Sequence, residues 1–163
     1  MPELTGPGGA PVSVGFTLSQ LGLATSRSFA RLVGAIGLEP RQFAVLQAAA
    51  QFAGESQQAL ADRLAIPAST MVGIVDGLER GGLVTRVRRT SDRRAHVIEL
   101  SEEGRASLAR AVEIGLRREG ELCAGLSEPE RSTLLLLLGR VAANLGVEPG
   151  ALPDGGRGLE PAR

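Results

Sequence analysis

Two adjacent glycines, Gly81 and Gly82, separate a segment with helical spacing from a segment with strand-like alternation. Before them, apolar residues recur every three or four positions across residues 68–80, which predicts a helix that the glycine pair ends. After them, apolar and polar residues alternate on either side of a short polar stretch. This pattern predicts a β-hairpin with strands over about residues 84–89 and 96–100. The chain therefore places a hairpin directly after a helix.

A short helix is predicted just before the helix that ends at the glycine pair. Ser56 fits the N-cap position, and Leu60 and Leu64 fall on one face of a helix over residues 57–64. Pro67 then marks a tight turn into the next helix. Two short helices joined by a tight turn form a helix-turn-helix candidate, and the hairpin that follows makes the arrangement a winged one.

Longer helices are predicted on both sides of this central unit. Upstream, apolar spacing indicates helices over about residues 17–36 and from Pro40 to about residue 54. Downstream, Ser101 caps a long helix that reaches about residue 124, and a last helix follows. The predicted fold class is mainly α with a small β-hairpin wing.

The last helix is apolar on more than one face. It opens on a capping box from Ser127 to Glu130 and continues into five consecutive leucines. A helix that is apolar nearly all round must be covered, and a second copy of this chain is the natural cover in so small a protein. The alternative is that the helix is buried within its own subunit. The predicted dimerisation residues are Leu134, Leu137, Leu138, Val141 and Leu145.

Length and composition bound the domain organisation. The 163 residues, 43% of them hydrophobic, suit one compact domain over residues 16–146 with flexible tails at 1–15 and 147–163. No apolar run approaches the roughly 18 residues of a membrane span and no signal segment is evident, so we expect a cytoplasmic protein without a membrane partner. Phosphate loops, metal constellations and nucleophile–base pairs are absent from the sequence pattern, so neither catalytic activity nor a cofactor is expected.

The net charge of zero conceals a local excess of arginine. All 18 basic residues are arginine, which a composition bias explains by itself. The clustering needs another explanation, because five of the nine residues from Arg86 to Arg94 are arginine and Asp92 is the only acid among them.

The residues on either side of this cluster resemble those of the MarR family of bacterial transcriptional regulators. The resemblance covers about residues 17–146, and its most specific part is the spacing from Gly82 through Gly104. The matching residues are Leu60, Ala61, Ser69, Thr70, Leu78, Glu79, Gly82, Leu83, Val84, Arg86, Asp92, Arg94, Val97, Leu100, Ser101 and Gly104.

Membership in this family implies a sequence-specific DNA-binding protein that acts as a homodimer. Helices over about residues 17–36 and 101–146 would form the dimer base, and residues 40–100 would form the winged core. The implied target is double-stranded DNA with a pseudo-palindromic operator, usually for repression. Many members release DNA when a small molecule binds, so a small-molecule effector is a further partner to test.

The second helix of the helix-turn-helix would lie in the major groove, with its N-terminal residues at the base edges. A further contact is expected where the preceding helix begins and its N-terminus favours a phosphate. An alternative for Ser69 and Thr70 is helix capping. The predicted contacts are Ala68, Ser69, Thr70 and Gly73 on bases and Gln57 near a phosphate.

The wing would add a second set of contacts. Arg94 is expected to enter a minor groove, and Asp92 is expected to orient that arginine or the wing backbone. Arg86, Arg89 and Arg93 are assigned to phosphates, which position the protein without specifying sequence. The alternative is a solvated cluster of charges without a DNA contact.

Four residues depart from the family pattern or invite other functions. Gly73 and Gly77 stand where many members carry a basic residue, so a winged-helix module that binds proteins, with weak or lost DNA binding, is the alternative function. His96 lacks a clustered second ligand, which favours a solvated strand residue over a metal ligand. Cys123 lies beside apolar residues, which favours a small buried hydrophobe over a redox sensor.

Overall fold

The computed structural model describes residues 12–88 and 96–147, which form six α-helices and one two-stranded antiparallel sheet. In chain order the elements are α1 (Val14–Gly34), α2 (Pro40–Gln51), α3 (Gln57–Arg63), α4 (Ala68–Arg80), β1 (Val84–Arg88), β2 (His96–Leu100), α5 (Glu102–Leu122) and α6 (Glu128–Asn144). The predicted fold class, mainly helical with a hairpin wing, is confirmed.

The predicted boundaries agree best around the glycine pair and least at the first helix. Helix α4 and strand β2 have the predicted bounds. Gly81 and Gly82 end α4, and β2 begins where the polar stretch of the sequence ends. Helix α1 begins at Val14, inside the segment predicted to be a tail, because Ser13 caps it by accepting a hydrogen bond from the Phe16 backbone N–H. The boundary at residue 15 was therefore placed too late.

Helix α2 organises the hydrophobic core. It contacts α1, α3, α4, α5 and β2, and six of its twelve residues are buried. We call the unit from α2 to β2 the winged lobe. Its largest fully buried side chains are Val45, Leu46, Leu60, Met71, Val75, Leu78, Val84 and Ile98. Burying each of the larger ones contributes about 1.5–3 kcal/mol, so the lobe has a core of its own.

The hairpin is joined to both of its neighbours along the chain. Arg86 lies opposite Ile98 in the register of β1 and β2. A single antiparallel bridge also connects Val97 to Ser56, the residue that caps α3. The wing is therefore attached directly to the start of the helix-turn-helix.

The junction between the hairpin and α5 is closed by Ser101 and Gly104. The Ser101 Oγ donates to the Gly82 carbonyl at 2.6 Å and accepts from the Gly104 N–H at 2.9 Å. A Cβ on Gly104 would overlap the Leu83 carbonyl oxygen and lie 2.9 Å from the carbonyl carbon. Only glycine permits this approach, so the position couples α5 rigidly to the base of the wing.

The terminal helices, α1 and α6, are much less covered than the winged lobe. Helix α6 contains no buried residue, and Phe16 and Leu21 on α1 are more than half exposed. On the inner side, α1 packs against α2 through an edge contact between Phe29 and Phe43, with ring centroids 5.3 Å apart. None of the described helices is long and apolar enough to cross a membrane.

Candidate nucleic-acid interface

The turn between α3 and α4 sets the direction of the second helix. Ser56 caps α3 by accepting from the Ala59 N–H at 3.1 Å. Ala65 then takes a left-handed conformation with φ of 47°, and the Ile66 N–H donates back to the Ala61 carbonyl at 2.9 Å. This compact turn brings α4 across α3 in the helix-turn-helix arrangement that the sequence predicts.

The first two turns of α4 present a small and mostly uncharged surface. Ala68, Ser69 and Gly73 are exposed, and Thr70 is half-buried. Pro67 is the N-cap of α4 and no side chain caps this end, so the alternative role of Ser69 and Thr70 as helix caps is not adopted. Their hydroxyls are free of that function.

Val72 also belongs to this exposed face. It was not among the predicted contacts, because it adjoins the apolar residues of α4 whose helical spacing predicts burial. The side chain is 45% exposed, whereas Met71 and Val75 are fully buried. A Cβ on the neighbouring Gly73 would have no atom within 4 Å, so the space beside Val72 is open. The helical positions of Ser69, Val72 and Gly73 on one side could have indicated this face from sequence.

The two glycines that depart from the family pattern occupy different environments. Gly73 faces open space, as a residue at a groove should. Gly77 instead faces α2, where a Cβ would lie 3.2 Å from the Gln42 Nε2 atom. The two glycines are therefore not equivalent, because only Gly73 lies on the open face of α4.

Arg86 on β1 is the centre of an ion-pair network that reaches α3 and α4. Its Nη2 atom lies 2.5 Å from Asp76 Oδ1, and its Nη1 atom lies 2.5 Å from Glu79 Oε2. Its Nε donates to Gln57 Oε1 at 3.2 Å, and Nη2 also approaches the Val72 carbonyl at 3.4 Å. We call these residues the Arg86 cluster.

The cluster keeps the guanidinium charged and occupied. Burial alone would lower the pKa of Arg86, but the hydrogen bonds to Asp76 and Glu79 outweigh burial and raise that pKa above its ordinary value. The side chain is only 21% exposed. The assignment of Arg86 to a phosphate is therefore revised, because its donors are already directed at protein carboxylates and it holds the wing against α4.

The cluster also fixes Gln57 and offsets one of the two negative charges on the outer face of α4. Gln57 lies at the start of α3 as predicted, but its side-chain oxygen accepts from Arg86, which orients the amide. Asp76 and Glu79 would otherwise present two uncompensated negative charges beside the exposed face of α4. Pairing with Arg86 reduces the repulsion that these carboxylates would exert on a phosphate backbone.

Four predicted wing residues lie outside the described residues. These are Arg89, Asp92, Arg93 and Arg94. At the described end of β1, the exposed Arg88 lies opposite His96 in the hairpin register. Arg88 was absent from the predicted contacts, although its position in the arginine cluster could have suggested it.

The predicted dimerisation residues lie on one side of α6. Leu134, Leu138 and Leu145 are 41%, 39% and 54% exposed, and Val141 is half-buried. Leu137, also predicted, is 48% exposed. The alternative in which this helix is buried within its own subunit is wrong for the described chain, because α6 has no buried residue.

A cavity of about 160 Å³ lies between α1 and α5. Leu32 and Ile114 supply its apolar lining, and Arg117, Arg118 and Glu121 supply charges of both signs. The Nε atom of Arg118 is buried and has no hydrogen-bond partner among the described residues, although its Nη1 pairs with Glu121 at 3.1 Å. An unsatisfied buried donor favours an acceptor in this position.

Cys123 and His96 lie on different elements, since Cys123 is the C-cap of α5 and His96 begins β2 opposite Arg88. Cys123 is buried, and burial together with the nearby Glu119 carboxylate raises the pKa of its thiol, which disfavours the reactive thiolate. Within residues 12–88 and 96–147, no three His, Cys, Asp or Glu side chains are grouped so that they could hold a metal ion.

Sequence comparisons agree with this geometry. The MarR family model matches residues 38–96, which cover α2 through the start of β2. Over 129 residues the chain is 35% identical to a putative transcriptional regulatory protein for the hcr operon of Thauera aromatica, covering 78% of each protein. It is 32% identical over 139 residues to the HTH-type transcriptional regulator PecS of Dickeya dadantii, covering 83% of each.

Solved structures give the same result. The transcriptional repressor CouR bound to a 23-mer DNA duplex matches with a TM-score of 0.71 and 35% identity, over 80% of this chain and 92% of CouR. CouR from Rhodococcus jostii RHA1 bound to p-coumaroyl-CoA matches with a TM-score of 0.66 and 30% identity, over the same shares of both chains. The chain therefore belongs to the MarR family of winged helix-turn-helix transcriptional regulators.

Proposed function

We propose that this protein is a repressor that binds a pseudo-palindromic operator as a homodimer. The observation that carries the proposal is the exposed N-terminal face of α4, held beside an arginine-bearing hairpin by the Arg86 cluster. A helix supported in this way suits the major groove, and the hairpin suits an adjacent minor groove. The DNA-bound CouR relative supports the same use of the fold.

The predicted DNA contacts divide into two groups under this proposal. Ala68, Ser69, Thr70 and Gly73 lie along the bases, while Gln57 is near a phosphate at the start of α3. Arg89 and Arg93 bind phosphates, Arg94 enters the minor groove and Asp92 orients it. Arg88 also binds a phosphate. Arg86 makes no DNA contact and contributes by holding the wing against α4.

A duplex selected by the protein from a random pool provides the test. The logarithm of the binding constant should fall linearly with the logarithm of the salt concentration, because each phosphate neutralised by arginine releases counterions. Arg94→Ala should weaken binding by about 1–3 kcal/mol. Arg110→Ala, which removes an exposed arginine paired with Glu103 on α5, is the matched control and should leave affinity unchanged. Salt-insensitive or absent binding would instead favour the protein-interaction module.

The uncovered apolar sides of α1 and α6 support the proposed homodimer. Leu134, Leu138 and Val141 form a strip along α6 that continues to its C-cap, Leu145. A two-fold axis would bury the same strip of a second copy against it. Sedimentation equilibrium should give twice the 16.9 kDa chain mass at micromolar concentration. A single-chain mass under those conditions would contradict the dimer.

The cavity between α1 and α5 is the proposed effector site. A volume of about 160 Å³ suits a group the size of benzene, because an engineered cavity of about 150 Å³ is known to hold benzene. Arg117 and the unpaired Nε of Arg118 would donate hydrogen bonds to an oxygen of the ligand's acyl part. The CouR relative with p-coumaroyl-CoA bound supports an aromatic acyl thioester, whose coenzyme portion would remain outside.

The effector proposal is tested by DNA release. p-Coumaroyl-CoA should dissociate the protein from its selected duplex at lower concentration than p-coumarate or coenzyme A alone. Leu32→Trp, which fills the cavity, should abolish release while leaving DNA affinity intact. Release of the Leu32→Trp variant at unchanged ligand concentration would place the effector elsewhere.

A further inference from the structure

The exposed face of α4 lacks the side chains that recognise bases through paired hydrogen bonds. Guanine is typically recognised by arginine or lysine and adenine by asparagine or glutamine, each through two bonds. The exposed residues at the start of α4 are Ala68, Ser69, Val72 and Gly73. The next outward residue, Asp76, is paired with Arg86, and the first cation on the helix is Arg80 at its last position. This face therefore offers methyl groups and a hydroxyl.

Val72 is the most prominent apolar group on that face. It is 45% exposed, while the apolar residues Met71 and Val75 on either side of it in the helix are fully buried. A valine in a helix has one strongly preferred rotamer, so its two methyl groups hold a fixed direction. The Val72 carbonyl also accepts from Arg86 Nη2 at 3.4 Å, which ties this point of the helix to the wing.

Gly73 leaves the space beside Val72 empty. No atom lies within 4 Å of the position that a Cβ would take there. Glycine within a helix is unfavourable by about 1 kcal/mol relative to alanine, and no packing contact of Gly73 explains that loss. Gly115 on α5 has the same open surroundings, but Gly73 lies on the exposed N-terminal face of α4, where close approach of the helix backbone to a ligand explains it.

We propose that Val72 recognises the C5-methyl group of thymine and that Gly73 admits the base edge to it. The proposal rests on the operator binding proposed above and names the chemistry of its specificity. The major-groove edge of thymine carries this methyl beside one acceptor, and an apolar side chain distinguishes it from cytosine by contact. Each half-site then contains an A·T pair that Val72 recognises without a direct hydrogen bond.

The experiment replaces thymine with deoxyuridine in a duplex that the protein has selected from a random pool. This change removes only the methyl group. At one thymine in each half-site we expect the wild-type affinity to fall about four-fold per half-site, as for loss of one buried methylene-sized group. Val72→Ala should bind the thymine and deoxyuridine duplexes equally. Val112→Ala, at an exposed valine of α5, should retain the preference for thymine.

Gly73→Ala provides a second test, because it should stabilise the folded protein and weaken its binding to DNA. The added methyl group meets open space in the free protein, so the melting temperature should rise. The same methyl group would obstruct the base edge, so affinity for the selected duplex should fall at least ten-fold. A purely structural role for Gly73 would move both quantities in the same direction.

The outcomes separate this inference from the proposed function. Equal wild-type affinity for thymine and deoxyuridine at every position would overturn the role of Val72 while salt-dependent operator binding remained. Unchanged DNA affinity of Gly73→Ala would overturn the close approach. Failure to select any duplex would overturn operator binding itself and this inference with it.

Discussion

The winged lobe and the terminal helices differ in how completely one chain covers their apolar residues. In the lobe, Leu46, Leu60 and Met71 are fully buried, and α2 contacts α3, α4 and β2. On α6, five consecutive leucines are between 39% and 66% exposed. Both regions are rich in leucine, so composition does not distinguish them. The difference is whether the covering surface belongs to the same chain.

This contrast separates two kinds of stability. The lobe is held by contacts within one chain, so its stability should be independent of protein concentration. The terminal helices gain their cover by association, so their stability should depend on concentration. Substitutions in the lobe should then change the unfolding free energy, whereas substitutions on α6 should first change the dissociation constant of the dimer.

The largest expected effect is at the junction that closes the lobe against α5. Gly104→Ala places a Cβ against the Leu83 carbonyl, and the backbone must shift because a carbonyl cannot rotate away. We expect a loss of about 4 kcal/mol in unfolding free energy, measured by urea denaturation. Gly115→Ala lies in the same helix with no atom within 4 Å and should stabilise by up to about 1 kcal/mol. Equal effects of the two substitutions would contradict the close approach.

The next largest effect should be a loss of dimer association in a variant whose winged lobe remains folded. Leu138→Glu introduces a charge into the predicted strip of α6, and the two-fold axis places it there twice. The dissociation constant should rise by an amount equivalent to about 3 kcal/mol, measured by sedimentation.

Leu136 supplies the matched control for that prediction. It is 61% exposed and lies on the opposite side of α6 from Leu138 by helical spacing. Leu136→Glu should remain dimeric, and the unfolding of the lobe should be unaffected in both variants. A monomeric Leu136→Glu variant would mean that α6 is covered all round.

A smaller effect is expected at the Arg86 cluster, which joins the wing to the lobe. Arg86→Ala removes hydrogen bonds to two carboxylates and should destabilise the lobe by about 2 kcal/mol in denaturant melts. Arg86→Lys should recover only part of the loss, because an ammonium group cannot reproduce the planar fork. Arg88→Ala, the neighbouring exposed arginine on the same strand, should leave stability unchanged and weaken DNA binding. Full recovery of stability in Arg86→Lys would mean that the cluster stabilises the lobe through charge alone and not through the guanidinium geometry.

The sequence predicted what depends on local spacing. The bounds of α4 and β2 follow from the glycine pair and the change of period, and the apolar stripe of α6 follows from helical repeats. The capping box from Ser127 to Glu130 and the helix order needed no long-range information.

Contacts between elements explain what the sequence could not predict. Arg86 seemed to be a phosphate ligand because the spacing of an arginine cluster says nothing about Asp76 and Glu79 on the facing helix. Gly77 seemed equivalent to Gly73 until the contact with Gln42 of α2 distinguished them. In both cases the decisive partner lies on another element, and its approach is set by tertiary packing.

The smallest expected effect is at the turn between α3 and α4, which sets the direction of α4. Ala65 holds φ at 47°, a conformation that is unfavourable by roughly 1–2 kcal/mol for a residue with a Cβ. Ala65→Gly removes this strain but increases the entropy of the unfolded chain, which opposes it by about 0.4–1 kcal/mol. The net gain should be about 0.5–1 kcal/mol, seen as a small rise in melting temperature. Ala59→Gly, in the regular helix α3, should destabilise by about 1 kcal/mol and thereby report the cost of glycine where the backbone is unstrained. If both substitutions destabilise alike, the turn carries no strain, and the direction of α4 is set by packing of the lobe alone.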